Sequence, residues 1–328
     1  MPLSENPMKE LAIPTPSGLA PGDSFVKKWA VAARVPFLTA SVMPVVAATA
    51  ACWRTTGRLN PWHALLAIVG VALVQAGANL ANDYFDHLSG DDPANRLSTP
   101  FSGGSRVIQE GIVSARAVLV AALACLSAGA ACGIILWLRT PGHTLLVIGL
   151  AGMAIAWFYT APPLRLVHRG LGELALGIAF GPLPVLGAEY VQHGALTLAV
   201  GWLGVPAGLL VVAILEINEF PDVAADASVG KRTVVVRLGL RGAIALYEAL
   251  VLGAYASVAV GIAAGWLPPL TALVALVAPL SWKAIRVLRA HPDDVRALVP
   301  AMAATVGQHA AFLLLLTGAC VAAALHAR

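Results

Sequence analysis

The chain has 328 residues, of which 59% are hydrophobic and only 12% are charged, and its formal net charge is +4. Soluble proteins carry about 25% charged residues, so this composition excludes a soluble globular enzyme. The apolar residues also lie in long blocks of roughly the ~20 residues that a helix needs to cross a bilayer. We therefore expect a multi-pass protein embedded in the lipid bilayer, without a nucleic-acid partner.

The predicted elements begin with a polar, proline-containing cytoplasmic segment at residues 1–28, which lacks the pattern of a removable signal peptide. Residues 29–328 are predicted to form a single all-α transmembrane domain. Apolar stretches predict nine membrane-spanning helices, at residues 31–53, 62–82, 115–138, 143–161, 170–191, 196–217, 242–266, 268–284 and 303–325. The eighth stretch is short, and only a Trp-Leu-Pro-Pro segment separates it from the seventh.

The basic residues give an orientation to these nine spans. With the N-terminus in the cytoplasm, 17 of the 21 Lys and Arg residues lie on the cytoplasmic side. The positive-inside rule favours this arrangement over the reverse. We therefore expect a protein of the inner (plasma) membrane with a cytoplasmic N-terminus. The four exceptions are Arg54, Arg58, Arg139 and Arg328.

Two acidic segments lie where apolar runs end, and the predicted topology puts both on the cytoplasmic side. The first runs from Asn82 to Asp86, and the second runs from Asn218 to Asp226. Carboxylates near lipid are retained mostly for function. Residues four apart share one face of a helix, so Asn82 pairs with Asp86. By the same spacing, the second segment aligns Asn218, Asp222 and Asp226 in one stripe.

The many oxygen-donor side chains of these two segments predict a magnesium site. Mg²⁺ binds through a few carboxylates and substrate phosphate oxygens and keeps some of its water. Neither stripe contains His or Cys, which argues against zinc. Two such clusters on one side of the membrane indicate a binuclear site for a diphosphate. Helix capping or the solvation of a loop is the alternative explanation for each cluster taken alone.

Basic and glycine-rich segments accompany both clusters. A Phe-Ser-Gly-Gly-Ser stretch offers flexible backbone N–H groups for phosphate oxygens and leads directly into Arg106. Lys231 follows the second cluster and supplies a point charge. Arg96 and Arg165 are further candidates, although the topology alone accounts for both. Tyr159 precedes a Pro-Pro pair that ends the fourth span, and it is either a cavity residue or an ordinary interfacial tyrosine.

These motifs resemble the UbiA family of intramembrane aromatic prenyltransferases, over nearly the whole chain from about residue 30. That family has an Asn-Asp-x-x-Asp motif after its second helix and a second Asp-rich motif after its sixth, where both acidic segments fall. The likeness is greatest to the menaquinone branch, which prenylates 1,4-dihydroxy-2-naphthoate. Besides the first motif, the residues that carry this likeness lie in the segments Gly103–Gly111, Tyr159–Leu164, Gly170–Glu173 and Gly230–Thr233.

The resemblance implies helices around a central cavity that opens to the cytoplasmic side. It also implies Mg²⁺-dependent transfer of a polyprenyl group from polyprenyl diphosphate to an aromatic acceptor, with loss of carbon dioxide in the menaquinone branch. Two Mg²⁺ ions would be held by Asn82, Asp83, Asp86, Asp92, Asn218, Asp222 and Asp226. The catalytic residues would be Asp86, Asp222, Arg106 and Lys231. Diphosphate would contact Arg106, Lys231, Arg165 and Ser105, and the acceptor would contact Tyr159.

Several alternatives stay open at this point. Gly90 stands where many family members have another Asp, so Asp83, Asp91 and Asp92 all remain candidates to complete the metal site. The acceptor of a UbiA-type enzyme could instead resemble 4-hydroxybenzoate or be another quinone or lipid precursor. A secondary transporter is a different class of function, although transporter carboxylates usually lie near mid-bilayer. A non-catalytic family member is the third alternative.

Overall fold

The computed structural model describes residues 17–20, 22–95 and 97–326, and the regular elements in these ranges are all helices. Short 3₁₀ segments at Val35–Leu38, Leu166–Arg169 and Pro269–Val277 connect some of the α-helices. In chain order the α-helices are α1 (Phe25–Ala32), α2 (Thr39–Thr56), α3 (Pro61–Ser89), α4 (Asp91–Ala94), α5 (Ala115–Trp137), α6 (Thr144–Phe158), α7 (Gly172–Phe180), α8 (Pro182–His193), α9 (Leu198–Gly201), α10 (Gly204–Glu219), α11 (Val223–Ser228), α12 (Val234–Ala263), α13 (Ala278–Ala290) and α14 (Val295–His326).

Eight segments of the described chain are long and apolar enough to cross a membrane, which confirms the all-α membrane fold. Helix α6 is the remaining apolar helix and corresponds to the fourth predicted span. Its 15 residues extend only about 22 Å at the usual helical rise, less than a bilayer's apolar core of ~30 Å. A ninth full span therefore stays a prediction. The eight segments are Val35–Thr56, Pro61–Ser89, Ala115–Trp137, Gly172–His193, Leu198–Glu219, Val234–Ala263, Pro269–Ala290 and Val295–His326.

A close helix crossing fixes α10 against the broken span formed by α7 and α8. The break occurs at Gly181, whose backbone (φ −105°, ψ −94°) is not helical, and Pro182 then begins α8. A Cβ atom on Gly181 would lie only 2.3 Å from the carbonyl oxygen of Gly204. Glycines of this kind allow helix backbones in membranes to approach each other closely. The crossing therefore positions α10, whose C-terminal end leads into the second acidic segment.

The described part of the N-terminal segment packs on the helical domain. The backbone N–H of Ser17 donates to Glu110 Oε1 at 3.2 Å. Leu19 is buried in an apolar cluster that includes Leu80 and Val107. Helix α1 follows after Ser24, whose hydroxyl accepts the backbone N–H of the third helical residue. Residues 1–16 of the predicted polar segment lie outside the described residues.

Candidate functional site

The first acidic segment lies at the C-terminal end of α3, and we extend it here through the short helix α4, which begins with Asp91 and Asp92, to Asn95. Asn82 Nδ2 donates to Asp86 Oδ2 at 2.9 Å, so these residues share a helix face as their spacing predicts. Gly90 then ends α3 in a left-handed conformation with φ of 86°, which glycine adopts without steric cost. Asp91 and Asp92 consequently begin a new helix in place of extending the α3 stripe.

A turn before α2 is bound to α3 and brings Arg34 to this segment. Arg34 has a left-handed backbone with φ of 53°. Its guanidinium donates to Asn82 Oδ1 at 3.2 Å and forms an ion pair with Asp83. The amides of Gln75 and Asn79 donate to backbone carbonyls on either side of Arg34, at 2.8 and 2.9 Å. No spacing pattern in the sequence pointed to Arg34, which entered only the count of basic residues.

The glycine-rich segment turns back toward the same acidic residues. The backbone N–H and the hydroxyl of Ser105 both donate to the Asp83 carboxylate. Gly104 has φ of 77°, and a Cβ atom there would lie 2.9 Å from a carboxylate oxygen of Asp92. Arg106 donates from its guanidinium to the backbone carbonyl of Asp92. The segment therefore holds Asp83 and Asp92 in fixed positions.

The second acidic segment is interrupted, and the predicted continuous stripe is wrong in this respect. Helix α10 ends at Glu219, and α11 begins only at Val223. Pro221 lies between them and has no backbone N–H to continue the helix. Asp222 precedes α11, and its carbonyl accepts the backbone N–H of Asp226 at 2.9 Å. Asp222 and Asp226 are therefore one helical turn apart, as their spacing predicts, but this turn belongs to the short helix α11 and not to a continuation of α10.

Polar contacts join the two acidic segments into one site. The Lys231 ammonium lies 2.6 Å from Asp91 Oδ2 and 3.2 Å from Asp226 Oδ1. Asn95 Nδ2 donates to Asp222 Oδ1 at 2.8 Å. Both segments therefore converge, as the binuclear interpretation requires. Asn95 was missed by sequence reasoning because it lies in a loop, where helical spacing gives no signal.

The charges at this site influence one another strongly. Burial alone would lower the pKa of Lys231, but the carboxylates of Asp86, Asp226 and Asp91 hold it well above its ordinary value. Burial raises the pKa of Asp226 to about 8, although Lys231 opposes the shift. Burial also raises the pKa of Asp222. Carboxylates whose pKa is raised in this way are stabilised in their charged form by added cations.

Several buried oxygen atoms of the site have no hydrogen-bond partner among the described residues. They are one carboxylate oxygen each of Asp86, Asp91 and Asp226 and the amide oxygen of Asn218. Carboxylate and amide oxygens are the protein ligands that Mg²⁺ and Ca²⁺ prefer. The donor set and its unpartnered atoms therefore fit a divalent cation that also binds water and phosphate oxygens.

A cavity of about 930 Å³ extends from this site between the helices. Polar and charged side chains line one end of it, among them Asn82, Asp86, Asn218, Lys231 and Tyr159. Much of the remaining wall is apolar. A cavity with one charged end and apolar walls fits a molecule that has an anionic head and a hydrocarbon tail. The apolar wall includes Val45, Leu66, Val74, Leu145, Ile148 and Val191.

The remaining predicted site residues differ in their position relative to the cavity. Arg106 is turned to the Asp92 carbonyl, and Arg165 is exposed. Arg96 lies outside the described residues. Ser105 does line the cavity, as does Asp92. Three carboxylates are not in the lining but contact residues that form it: Asp83, Asp222 and Asp226.

Known proteins resemble this chain in sequence and in fold. The sequence model of the UbiA prenyltransferase family matches residues 41–299. The 1,4-dihydroxy-2-naphthoate octaprenyltransferase of Mycobacterium tuberculosis is 38% identical over 229 residues, which cover 68% of this chain and 74% of that protein. The Escherichia coli protein of the same name is 30% identical over 294 residues, covering 86% and 91%. A UbiA homologue from Archaeoglobus fulgidus, solved with GPP and Mg²⁺, is 16% identical with a TM-score of 0.59, covering 90% of this chain and 99% of the homologue.

Proposed function

The chain belongs to the UbiA prenyltransferase family, and from this premise we propose that it transfers a polyprenyl group from polyprenyl diphosphate to 1,4-dihydroxy-2-naphthoate. The observation that carries the proposal is the meeting of both acidic segments at the charged end of an apolar cavity. Curated relatives that are named for this acceptor support the naphthoate as substrate. The product would be a precursor of menaquinone.

Two Mg²⁺ ions fit the proposed reaction. The residues that would hold them are Asn82 and Asp86 from the first segment, with Asn218, Asp222 and Asp226 from the second. Asp91 or Asp92 would complete the set, and the role of Asp83 as a ligand stays a prediction, because Arg34 and Ser105 already bind it. When bound, Mg²⁺ supplies positive charge to the diphosphate and stabilises the leaving pyrophosphate.

The chain's own residues would orient the donor and protect the reacting carbon. Lys231 keeps its charge at the cavity end, where it attracts the diphosphate. The bond from the allylic carbon to the diphosphate oxygen breaks, and the acceptor ring forms a carbon–carbon bond to that carbon. The carboxylate on the attacked ring carbon leaves as carbon dioxide. Apolar walls exclude water, which would otherwise capture the allylic cation, and Tyr159 lines the cavity where the acceptor would enter.

We also propose that the cavity opens to the cytoplasm and that the protein resides in the inner membrane with a cytoplasmic N-terminus. The distribution of 17 of the 21 basic residues on one side supports this orientation. Both substrates then reach the site from the cytoplasmic leaflet, where the diphosphate head remains at the polar surface.

The test is incubation of the protein in lipid nanodiscs with Mg²⁺, polyprenyl diphosphates of different lengths and a panel of aromatic acceptors. Mass spectrometry should identify a prenylated naphthoate product that has lost carbon dioxide.

Asp86→Ala and Asp222→Ala should each abolish the product while the protein remains inserted, and Arg106→Ala should weaken use of the donor. Product formed only with another acceptor would reject the naphthoate assignment. Ion or solute flux in liposomes without any product would instead indicate a transporter.

A further inference from the structure

A second cluster of acidic side chains lies beside this site but outside its cavity. Glu173 is near the N-terminus of α7, and Glu216 and Glu219 lie three residues apart at the end of α10. One carboxylate oxygen from each residue lies within 4.8 Å of the others. The three side chains are buried, with relative exposures of 7%, 0% and 6%, and none lines the cavity. We call these three residues the glutamate site.

Most of the oxygen atoms at the glutamate site lack partners. Glu173 Oε1 accepts the backbone N–H of Val234 at 2.9 Å. The second oxygen of Glu173, both oxygens of Glu216 and one oxygen of Glu219 are buried without a hydrogen bond in the described part of the chain. No Lys or Arg among the described residues forms an ion pair with any of the three. Buried carboxylates without partners are strongly destabilising, so this cluster needs a positive ligand or protons.

We propose that the glutamate site binds a hard divalent cation such as Mg²⁺ or Mn²⁺, in addition to the ions that bind with the diphosphate. Three carboxylates without a His or Cys neighbour are the donor set for such ions. The Glu216 carboxylate is fully buried and unpartnered, and one of its oxygens lies within 4.8 Å of an oxygen of each other glutamate, so one ion could contact all three. One cation there would provide partners for oxygens on two helices at once. The inference does not depend on the transfer reaction.

The position of the glutamate site indicates what the cation would do. Glu216 and Glu219 flank Asn218, and the acidic segment continues to Asp222. Glu173 reaches the start of α12 through Val234, three residues after Lys231. A cation bound by all three glutamates would therefore join α7, α10 and the start of α12. It would hold the second acidic segment in position without touching the substrate.

The experiment measures Mn²⁺ binding to the full chain in detergent, without diphosphate. Asp86→Asn combined with Asp222→Asn removes ligands of the substrate site and serves as the background. We expect this background to bind about one Mn²⁺ per chain, counted from the free-ion signal in electron paramagnetic resonance. Adding Glu216→Gln should reduce the count to about zero. Glu189→Gln, which changes another glutamate of 0% exposure at the far end of α8, should leave it unchanged.

Thermal unfolding gives an independent measure, because a ligand that binds only the folded state raises the melting temperature. Mn²⁺ should raise it in the background but not after Glu216→Gln. Glu173→Gln, on a different helix, should also abolish the Mn²⁺-dependent rise in melting temperature. This variant replaces Glu216→Gln in the test if the Glu216 variant does not fold. A background that binds no Mn²⁺, with an infrared band of neutral carboxylic acids that Glu216→Gln removes, would overturn the proposal. If the wild-type chain formed no prenylated product while the background variant still bound its one Mn²⁺, the proposed function alone would be contradicted.

Discussion

The two acidic segments meet at one site, but they are held there by different kinds of contact. In the first segment, Asp83 is bound by Arg34 and Ser105, which lie 49 and 22 residues away in sequence. In the second segment, Asp222 receives its side-chain hydrogen bond from Asn95, 127 residues away. The first segment is therefore held by the N-terminal part of the chain, whereas the second, besides the packing of α10, depends on a contact from the first.

Lys231 has the central place in this arrangement, because it is the ion-pair partner of both segments. Lys231→Met removes the ammonium and leaves Asp91 and Asp226 facing each other without a cation. Removing one member of a buried ion pair costs about 3–5 kcal/mol, so we expect prenyl transfer to fall by roughly 10²- to 10⁴-fold. Initial rates in nanodiscs test this expectation.

A matched control for this variant is Lys283→Met, which changes an exposed lysine on α13. It should leave the transfer rate at the wild-type level. If Lys231→Met retained more than about a tenth of wild-type activity, corresponding to ~1.4 kcal/mol, the ion-pair bridge would not be what unites the segments.

The contacts that hold the first segment in place are made to Asp83. Asp83→Asn keeps the shape of the side chain but leaves Arg34 without its anion. We expect a loss of about 3 kcal/mol in the free energy of unfolding and a decrease of roughly 10²-fold in transfer. Denaturant unfolding in detergent measures the first quantity. Asp23→Asn, which breaks the exposed pair with Lys27, should not change stability measurably.

The same variant separates two roles for Asp83. A supporting residue predicts lower stability with little change in the Mg²⁺ concentration required for half-maximal transfer. A metal ligand predicts the opposite, with unchanged stability and a higher Mg²⁺ requirement. The comparison between the segments would need revision if the second pattern were observed.

The sequence alone was sufficient to predict those contacts of the site that lie within a single helix. Asn82 and Asp86 share a helix face, and their hydrogen bond follows from a separation of four residues. The long apolar runs predicted the all-α membrane fold, because backbone polar groups in lipid must be satisfied within helices. The short α6 shows the limit of this rule, since hydropathy alone does not decide whether a stretch completes a span.

The rest of the site depends on where helices end and on contacts between distant parts of the chain. Gly90 ends α3 through a positive φ, and Pro221 separates α10 from α11, so the regular stripes do not continue through either position. Arg34 and Asn95 reach the acidic residues only after the chain has folded. No periodic pattern in the sequence encodes contacts of this kind, which is why both residues were missed.

The Asn95–Asp222 contact tests how strongly the first segment positions the second. Asn95→Ala removes the amide that donates to Asp222 at 2.8 Å. A hydrogen bond to a charged group contributes about 1.5–3 kcal/mol, so we expect transfer to fall by roughly 10- to 100-fold. The Mg²⁺ requirement should rise, since Asp222 is a proposed ligand. Gln192→Ala, which removes an amide bonded to Asn60 far from the site, should leave both quantities unchanged.

The smallest expected effect on transfer comes from a substitution in the glycine-rich segment. A matched pair of variants there separates the effect of backbone strain from the effect of displacing Asp92. Gly104→Ala would place a Cβ atom 2.9 Å from an Asp92 oxygen, and we expect transfer to fall about fivefold, which corresponds to ~1 kcal/mol. Gly111→Ala is the matched control, because its φ of 69° is similar but nothing lies within 4 Å of the added atom. Both variants carry left-handed strain of about 1–2 kcal/mol, yet only Gly104→Ala moves Asp92. Equal transfer rates for the two variants would mean that the position of Asp92 does not affect the reaction, and Asp91 would then be the residue that completes the first segment's contribution to the metal site.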